Sequence, residues 1–382
     1  MPESYPLDRP GAALLEGWSD DGAVHLLLPL PEETRELPWN RAGEWCAFVE
    51  ELQCDSDELW AGFIAYEALA CEEEALPRAN TPSEPAAFFA RHRKRVNGTA
   101  PSHNATRCAQ THIRDSMGNG HYTAAVERIR ESIRDGDVYQ VNLTRAFSID
   151  GTCDPLDLYR ALTAPRAPRS SAFLRGDGWS IVSASPEVLL RFDRETGVAE
   201  SRPIKGTVRR NGDDAAEIAT LTSSRKDASE HLMIVDVVRN DFGKIAPSGA
   251  VSVPAFRTVR TLEHVHHLES TVRATGLQNR SVADILGALS PAASITGAPK
   301  RAAVRMIRDI EPVPRGVYCG TIGYLDATRA EFSVAIRTAV VTEDSVRYHA
   351  GGGIVWDSDP IAEEDESRAK SEAFLRFVGA KA

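Results

Sequence analysis

Residues 350–370 read Ala350-Gly351-Gly352-Gly353-Ile354-Val355-Trp356-Asp357-Ser358-Asp359-Pro360-Ile361-Ala362-Glu363-Glu364-Asp365-Glu366-Ser367-Arg368-Ala369-Lys370. With Tyr348 and His349 ahead of it, the first part reads as a strand, and its three glycines signal a close approach to the backbone. The second part reads as a helix, which Asp359 can cap and whose first turn suits Pro360. The helix's apolar face runs through Ala369, Ala373 and Phe377. Helical spacing carries that face back to Glu366, with Glu363 one turn earlier. A carboxylate at the head of a buried stripe is costly unless it is paired or bound to a cation. First-turn glutamates also favour the helix dipole, which is the plainer account of the same residues.

A second acidic pair lies upstream. Asp227 and Glu230 have the spacing of a capping box just ahead of the apolar run 232–238. Asp227, Glu230, Glu363 and Glu366 together offer an oxygen-rich set for a hard cation. Magnesium fits such a set when substrate oxygens and waters complete the shell.

The neighbouring segments add binding groups. The run 332–341 reads as one strand, apolar apart from Ser333, Arg337 and its threonines. An arginine inside such a strand needs a partner, and a bound carboxylate would serve. Residues 290–300 (SPAASITGAPK) form a loop of small residues opening the helix 301–310, a suitable place for an anion although not a P-loop. His266 and His267 lie on a strand and alternate to opposite faces. In Ser201-Arg202-Pro203-Ile204-Lys205-Gly206-Thr207, Pro203 fixes φ and Gly206 lets the chain turn. Lys205 is either a solvated loop lysine or an amine held in a pocket as base or nucleophile. Glu187 stands at the entry of the strand 188–192, after a hairpin around 173–182. Gln140, Asn142 and Thr144 form the polar face of a strand, facing solvent or a cleft. Ahead of it, Tyr122, Val126, Ile129 and Ile133 keep helical spacing and Gly136 stops the helix. Patterning weakens before residue 115, with a basic run 91–95 read as a solvated face or linker. The expected division is 1–115 and 116–382, intertwined into one fold.

The 382 residues are 42% apolar and 26% charged, the composition of a globular chain with ample core. A net charge of −11 argues against nucleic-acid binding, which needs a basic footprint. It leaves room for a small anion held by a few Arg and Lys residues. No apolar run approaches a membrane span, and MPESYPLDRP lacks the regions of a signal peptide. Six scattered cysteines (46, 54, 71, 108, 153, 319) suggest reduced thiols in a cytoplasmic protein.

Nine blocks in order carry a resemblance: DVYQVNLTRAF (137–147), SASPE (183–187), SRPIKGT (201–207), KDASEHLMIVDVVRND (226–241), HHLES (266–270), SITGAPKRAAVRMI (294–307), YCGTIGYLD (318–326), FSVAIRT (332–338) and AGGGIVWDSDPIAEEDESRAK (350–370). Over these the chain resembles the chorismate-utilising enzymes, which include anthranilate, aminodeoxychorismate, isochorismate and salicylate synthases. WAGFIAYEA (60–68) extends the likeness loosely into the N-terminal third. The resemblance implies an α+β fold, an α/β sandwich of antiparallel sheets packed face to face with outer helices and a cleft for the active site. It implies that Glu230 and Glu366, with Asp227 and Glu363 close by, hold Mg2+ against the ring carboxylate of chorismate. Arg337 and Tyr318 match residues that hold the enolpyruvyl carboxylate, and Thr296, Gly351, Gly352, Gly353 and Lys370 match other substrate contacts. Glu187 matches the acid that assists departure of the 4-hydroxyl, and His267 the site histidine.

Two positions bear on the branch. Relatives that add water carry a lysine base where this chain has Gln140, so the implied nucleophile is ammonia. Anthranilate synthases have alanine in the P-I-A-G-T loop and aminodeoxychorismate synthases have lysine, as at Lys205. The implied partner is a glutamine amidotransferase subunit, since no glutaminase region is seen in these residues. Pro291-Ala292-Ala293 departs from the family's glycine-bearing P-x-G.

Overall fold

The structure is a computed structural model that describes residues 7–18, 24–70, 81–93, 96–97, 112–164, 167–261 and 265–379. Cys71, Cys108, Lys94, Arg95 and most of the polar stretch 97–104 lie outside the described residues. Two ten-stranded sheets dominate, nine strands of each in one path; off that path Ile113–Asp115 pairs with Gln140–Asp150 in the first and Val251–Thr261 with Val265–Ala274 in the second. The first runs in the order Gly297–Ala298, Gln140–Asp150, Ser345–Ile354, Thr338–Thr342, Trp179–Ala184, Ser171–Arg175, Ala13–Trp18, Val24–Leu28, Val96–Asn97. The second runs Ile204–Arg209, Val265–Ala274, Val198–Arg202, Val188–Asp193, Arg329–Val334, Thr321–Asp326, Leu59–Ile64, Ala87–His92, Glu33–Leu37. The strand pairings among the described residues are antiparallel, as the family resemblance implies. Strands from the N-terminal third thus finish the far end of both sheets.

Strand alternation explains the layering. Ala13 and Leu15 point between the sheets, into a core with Phe63, Phe88, Trp179, Ile322 and Val340. Leu14, on the same strand, points outward into a second core with Phe173, Val341 and Phe374. Because helices cover the outer faces, strands such as Leu59–Ile64 are buried at every position. Aromatic edges lock the sheets together: Trp179 of the first meets Phe63 and Phe88 of the second at centroid distances of 5.5 and 5.0 Å. Gly62 is required here, since a Cβ would stand 1.9 Å from the Phe88 carbonyl oxygen. No described helix is long and apolar enough to cross a membrane.

Three expectations are corrected. The run 332–341 is two strands in different sheets, Arg329–Val334 and Thr338–Thr342, and Arg337 lies in the crossover with φ +52°. Continuous apolar character could not reveal the break, because both strands are buried. The last helix is two, Pro360–Ala369 and Glu372–Phe377, parted at Lys370 and Ser371. Its buried residues include Glu363, Ser367, Ser371 and Phe374, whereas Ala369, Ala373 and Glu366 are exposed, so the face was misphased toward small residues. The polar face of Gln140–Asp150 is buried: Gln140, Asn142 and Thr144 are all covered.

Candidate active site

The chain passes from one sheet to the other at two adjacent points. Residues 185–187 join Trp179–Ala184 to Val188–Asp193, and residues 335–337 join Arg329–Val334 to Thr338–Thr342. The crossings are stitched together by Ala184 N–H donating to the Arg337 carbonyl (3.1 Å) and Val334 N–H to the Glu187 carbonyl (3.1 Å). Glu187 is thereby held at the parting of the sheets. It is buried, and Ser294 Oγ donates to its Oε1 at 2.6 Å. Burial raises its pKa to about 7, against the hydrogen bond from Ser294 and the charge of Lys205.

Lys205 does not lie in a loop, as its Pro and Gly neighbours suggested. It belongs to the edge strand Ile204–Arg209, which pairs with Val265–Ala274 through a register shift between Ile204 and Thr207. Gly206 takes φ +85° at that irregularity, a conformation few other residues accept. The Lys205 Nζ lies 3.5 Å from Glu230 Oε2. Glu230 and Asp227 sit inside the helix Arg225–Gly243 rather than at its cap, because that helix begins before them. The Asp227 side chain is outside the described residues. His231, one residue further, bonds the Lys205 carbonyl through Nδ1 (3.2 Å) and Ser270 Oγ through Nε2 (2.6 Å). It ties helix to strand beside the lysine, a role that sequence reasoning missed although it adjoins Glu230. His267 is buried with Nδ1 at 2.7 Å from Thr207 Oγ1, and its Nε2 has no hydrogen-bond partner among the described residues. Burial lowers its pKa to about 3, so it is neutral near pH 7.

The glycine strand separates two groups of side chains. A Cβ on Gly353 would fall 2.2 Å from Gln140 Nε2 and 2.9 Å from Lys205 Nζ. A Cβ on Gly352 would fall 3.3 Å from Glu363 Oε2, 3.6 Å from Glu366 Oε1 and 3.7 Å from Lys370 Nζ. Gly351 lies against the Leu143 carbonyl, 2.0 Å from where its Cβ would stand. Gln140 is fully buried, and neither end of its amide has a hydrogen-bond partner among the described residues. A buried amide with four unused hydrogen-bonding positions marks a place for a polar ligand. Gly353→Ala should therefore cost activity more than stability. The expected loss of kcat is about 100-fold, by displacement of Gln140 and Lys205, with a melting temperature near that of the parent protein.

The acidic set is partly assembled. Glu363 is buried and accepts from Ser358 Oγ at 2.6 Å, while Glu366 is paired with Lys370 Nζ at 2.7 Å. Lys370 Nζ also donates to the Gly351 carbonyl at 2.9 Å. Glu363 and Glu366 face the space that a Cβ on Gly352 would fill, and all their donors are oxygen, which suits a hard cation. Glu230 stands with Lys205, on the other group. Among the described residues the cluster with ligand atoms within 4.8 Å of one another is instead Asp214, Glu217 and His266. Asp214 there is already held by Arg210 through two hydrogen bonds of 2.8 and 2.7 Å.

The remaining predicted contacts are more internal. Thr296 is buried and donates to the Ala292 carbonyl at 2.8 Å, in a turn whose next residues, Gly297 and Ala298, pair with Val141 and Gln140. The Tyr318 ring stacks on His349 at 5.2 Å. Arg337 makes no ion pair among the described residues, and its charge helps to lower the pKa of His267. Arg315, which sequence reasoning also missed, is buried among Glu311, the Ile295 carbonyl and the Asn142 carbonyl. It is a lone arginine in a loop, with no periodicity to mark it as internal.

A family model for chorismate binding enzymes matches residues 79–376. Anthranilate synthase component 1 of Halobacterium salinarum is 34% identical over 381 residues, spanning 96% of this chain and 68% of that protein. An aminodeoxychorismate synthase of Streptomyces pristinaespiralis is 41% identical over 268 residues, spanning 69% of this chain and 37% of that protein. The solved anthranilate synthase component I of Streptococcus pneumoniae superposes with a TM-score of 0.75 at 25% identity, over 97% of this chain and 93% of that one. The chain thus spans about two thirds of one curated relative and well under half of the other. By the family match and by its likeness to the Halobacterium protein along almost its whole length, the chain belongs to the chorismate-binding enzymes.

Proposed function

We propose that this chain is the synthase component that converts chorismate and ammonia to 4-amino-4-deoxychorismate. The observation that carries the reading is Lys205, whose amine lies 3.5 Å from Glu230 and beside the unsatisfied amide of Gln140. A primary amine held in a largely covered site suits a nucleophile, and glutamine at the neighbouring position cannot deprotonate water. The neutral amine adds to ring C2 of chorismate and the ring double bonds shift. The C4–O bond then breaks, and the departing hydroxyl takes a proton from Glu187 and leaves as water. Ammonia adds at C4, the double bonds shift back, the C2–N bond breaks so that Lys205 leaves as the neutral amine, and the ammonium formed at C4 returns a proton to Glu187. Glu187, with a pKa of about 7, can hold that proton near neutral pH. Magnesium would be held by Glu363 and Glu366, which face one space, and would supply positive charge for the substrate's ring carboxylate; Glu230 stands with Lys205 instead. Arg337 serves the second carboxylate. A glutamine amidotransferase partner would supply the ammonia.

The Halobacterium relative favours a second reading, anthranilate synthesis, since it is similar over 96% of this chain. Incubation with chorismate, magnesium and ammonium, followed by product identification, separates the two. The expected product is 4-amino-4-deoxychorismate. Anthranilate would replace the first reading with the second, and no turnover under these conditions would leave only a binding role.

A further inference from the structure

Ser294 takes no part in the bond changes at C2 and C4, yet it makes the one hydrogen bond to the Glu187 carboxyl among the described residues. The rest of Glu187 is already fixed. Its N–H donates to Ser185 Oγ at 3.3 Å, and its carbonyl accepts from Val334 at 3.1 Å. Its carboxyl rotation is left to Ser294, which donates to Oε1 at 2.6 Å from the single turn Ala293–Thr296. Both side chains line one small cavity with Ser201 and Pro203, at the foot of the strand that carries Lys205. That turn is itself anchored, through Arg315 donating to the Ile295 carbonyl at 2.7 Å. The donor therefore stands on a fixed support.

We propose that Ser294 is a positioning residue for the acid: by donating to Oε1 it fixes the carboxyl rotation, so that the transferable proton stands on Oε2. The inference rests on the assignment of Glu187 as the proton donor. With Ser294 donating, Oε1 is occupied as an acceptor and the O–H of the protonated acid stands on the other oxygen. In the transfer the Oε2–H bond breaks, its electron pair stays on the carboxylate, and the proton joins the oxygen leaving C4. The carboxylate so formed gains a stronger bond from Ser294 than the acid had, which favours the charge-separated stage of the step.

The charged groups acting on Glu187 are Lys205 and Glu269, from the two paired strands beside it. They are unchanged when Ser294 is altered. Burial and Glu269 raise the Glu187 pKa, while the serine and Lys205 lower it. Without the serine the acid holds its proton to higher pH, and the high-pH fall in kcat moves upward.

The test is the pH profile of kcat with chorismate, magnesium and ammonium for the parent chain, Ser294→Ala, Ser294→Cys and Ser294→Thr. Ser294→Ala and the near-isosteric Ser294→Cys are expected to lower kcat about 10-fold or more and to shift the high-pH limb upward, with KM for chorismate within about twofold. Ser294→Thr, which keeps the hydroxyl, should recover most of the loss. An unshifted limb in Ser294→Cys, with Glu187→Gln inactive, overturns the role of the serine alone. Activity in Glu187→Gln near that of the parent overturns the acid assignment and this inference with it.

Discussion

Lys205→Ala is expected to lower kcat for amination on the order of 10³-fold or more, because it removes the atom that bonds to the substrate. The same change leaves Glu230 without the amine 3.5 Å away, so a disturbed carboxylate contributes to the loss as well. Lys205→Arg separates the two effects. A guanidinium keeps the positive charge near Glu230 but stays protonated, and so cannot act as the nucleophile. Lys205→Arg should therefore restore thermal stability and not turnover. Intact-protein mass spectrometry gives a direct reading: with chorismate and no ammonia, the parent chain should gain a substrate-derived mass located at Lys205. Full amination by Lys205→Ala, with no adduct on the parent, would sink the covalent route while leaving chorismate as the substrate.

The largest effect on stability is expected at Arg315. Its guanidinium is almost wholly covered and donates through Nη1 to the Ile295 carbonyl (2.7 Å) and through Nη2 to the Asn142 carbonyl (2.7 Å). Nε and Nη2 also bind the Glu311 carboxylate at 2.9 and 2.7 Å. The group lies 4.6 Å from the Tyr66 ring centroid. Arg315→Ala leaves a buried carboxylate without its counter-charge and takes a donor from two carbonyls, a loss of about 3–5 kcal/mol. Glu311 Oε1 still accepts from Thr144 N–H at 2.8 Å, which anchors its charge in the interior. Removing both charges in Arg315→Met with Glu311→Leu should recover part of the loss, since the isolated charge is the costly species. Equilibrium denaturation measures both. A single variant within about 0.5 kcal/mol of the parent would contradict the network's importance. Because Arg315 joins the turn of Ser294 and Thr296 to the strand of Gln140, even stable variants at this position should lose turnover.

Much was legible in the sequence, and the reasons are local. Asp359 and Pro360 start their helix as capping chemistry requires, with the Asp359 carboxylate accepting from Ile361 and Ala362 N–H. His266 and His267 part to opposite faces, one toward Asp214 and Thr261, the other toward Thr207. Helix His121–Arg134 follows its apolar spacing and is followed by Gly136 at φ +86°. Nine ordered motifs sufficed for the family and with it the paired antiparallel sheets.

Side-chain company was not legible. Apolar periodicity reports which face is covered, and it fails where both faces are covered or where the covered residues are polar. That is why 332–341 read as one strand, although the chain changes sheets at Arg337. It is also why Glu363, and not Glu366, proved to be the buried carboxylate: Ser358 satisfies it, and a satisfied polar residue leaves no hydrophobic signature. Short-range chemistry, caps and turns and alternation, is written in neighbouring residues. The approach of Lys205 to Glu230, of Gln140 to Gly353 and of Ser294 to Glu187 joins residues 25, 213 and 107 positions apart. Pairing of distant strands sets Gln140 beside Gly353, packing of a helix on a strand sets Glu230 beside Lys205, and the sheet crossing sets Glu187 beside the turn of Ser294; all three are tertiary events.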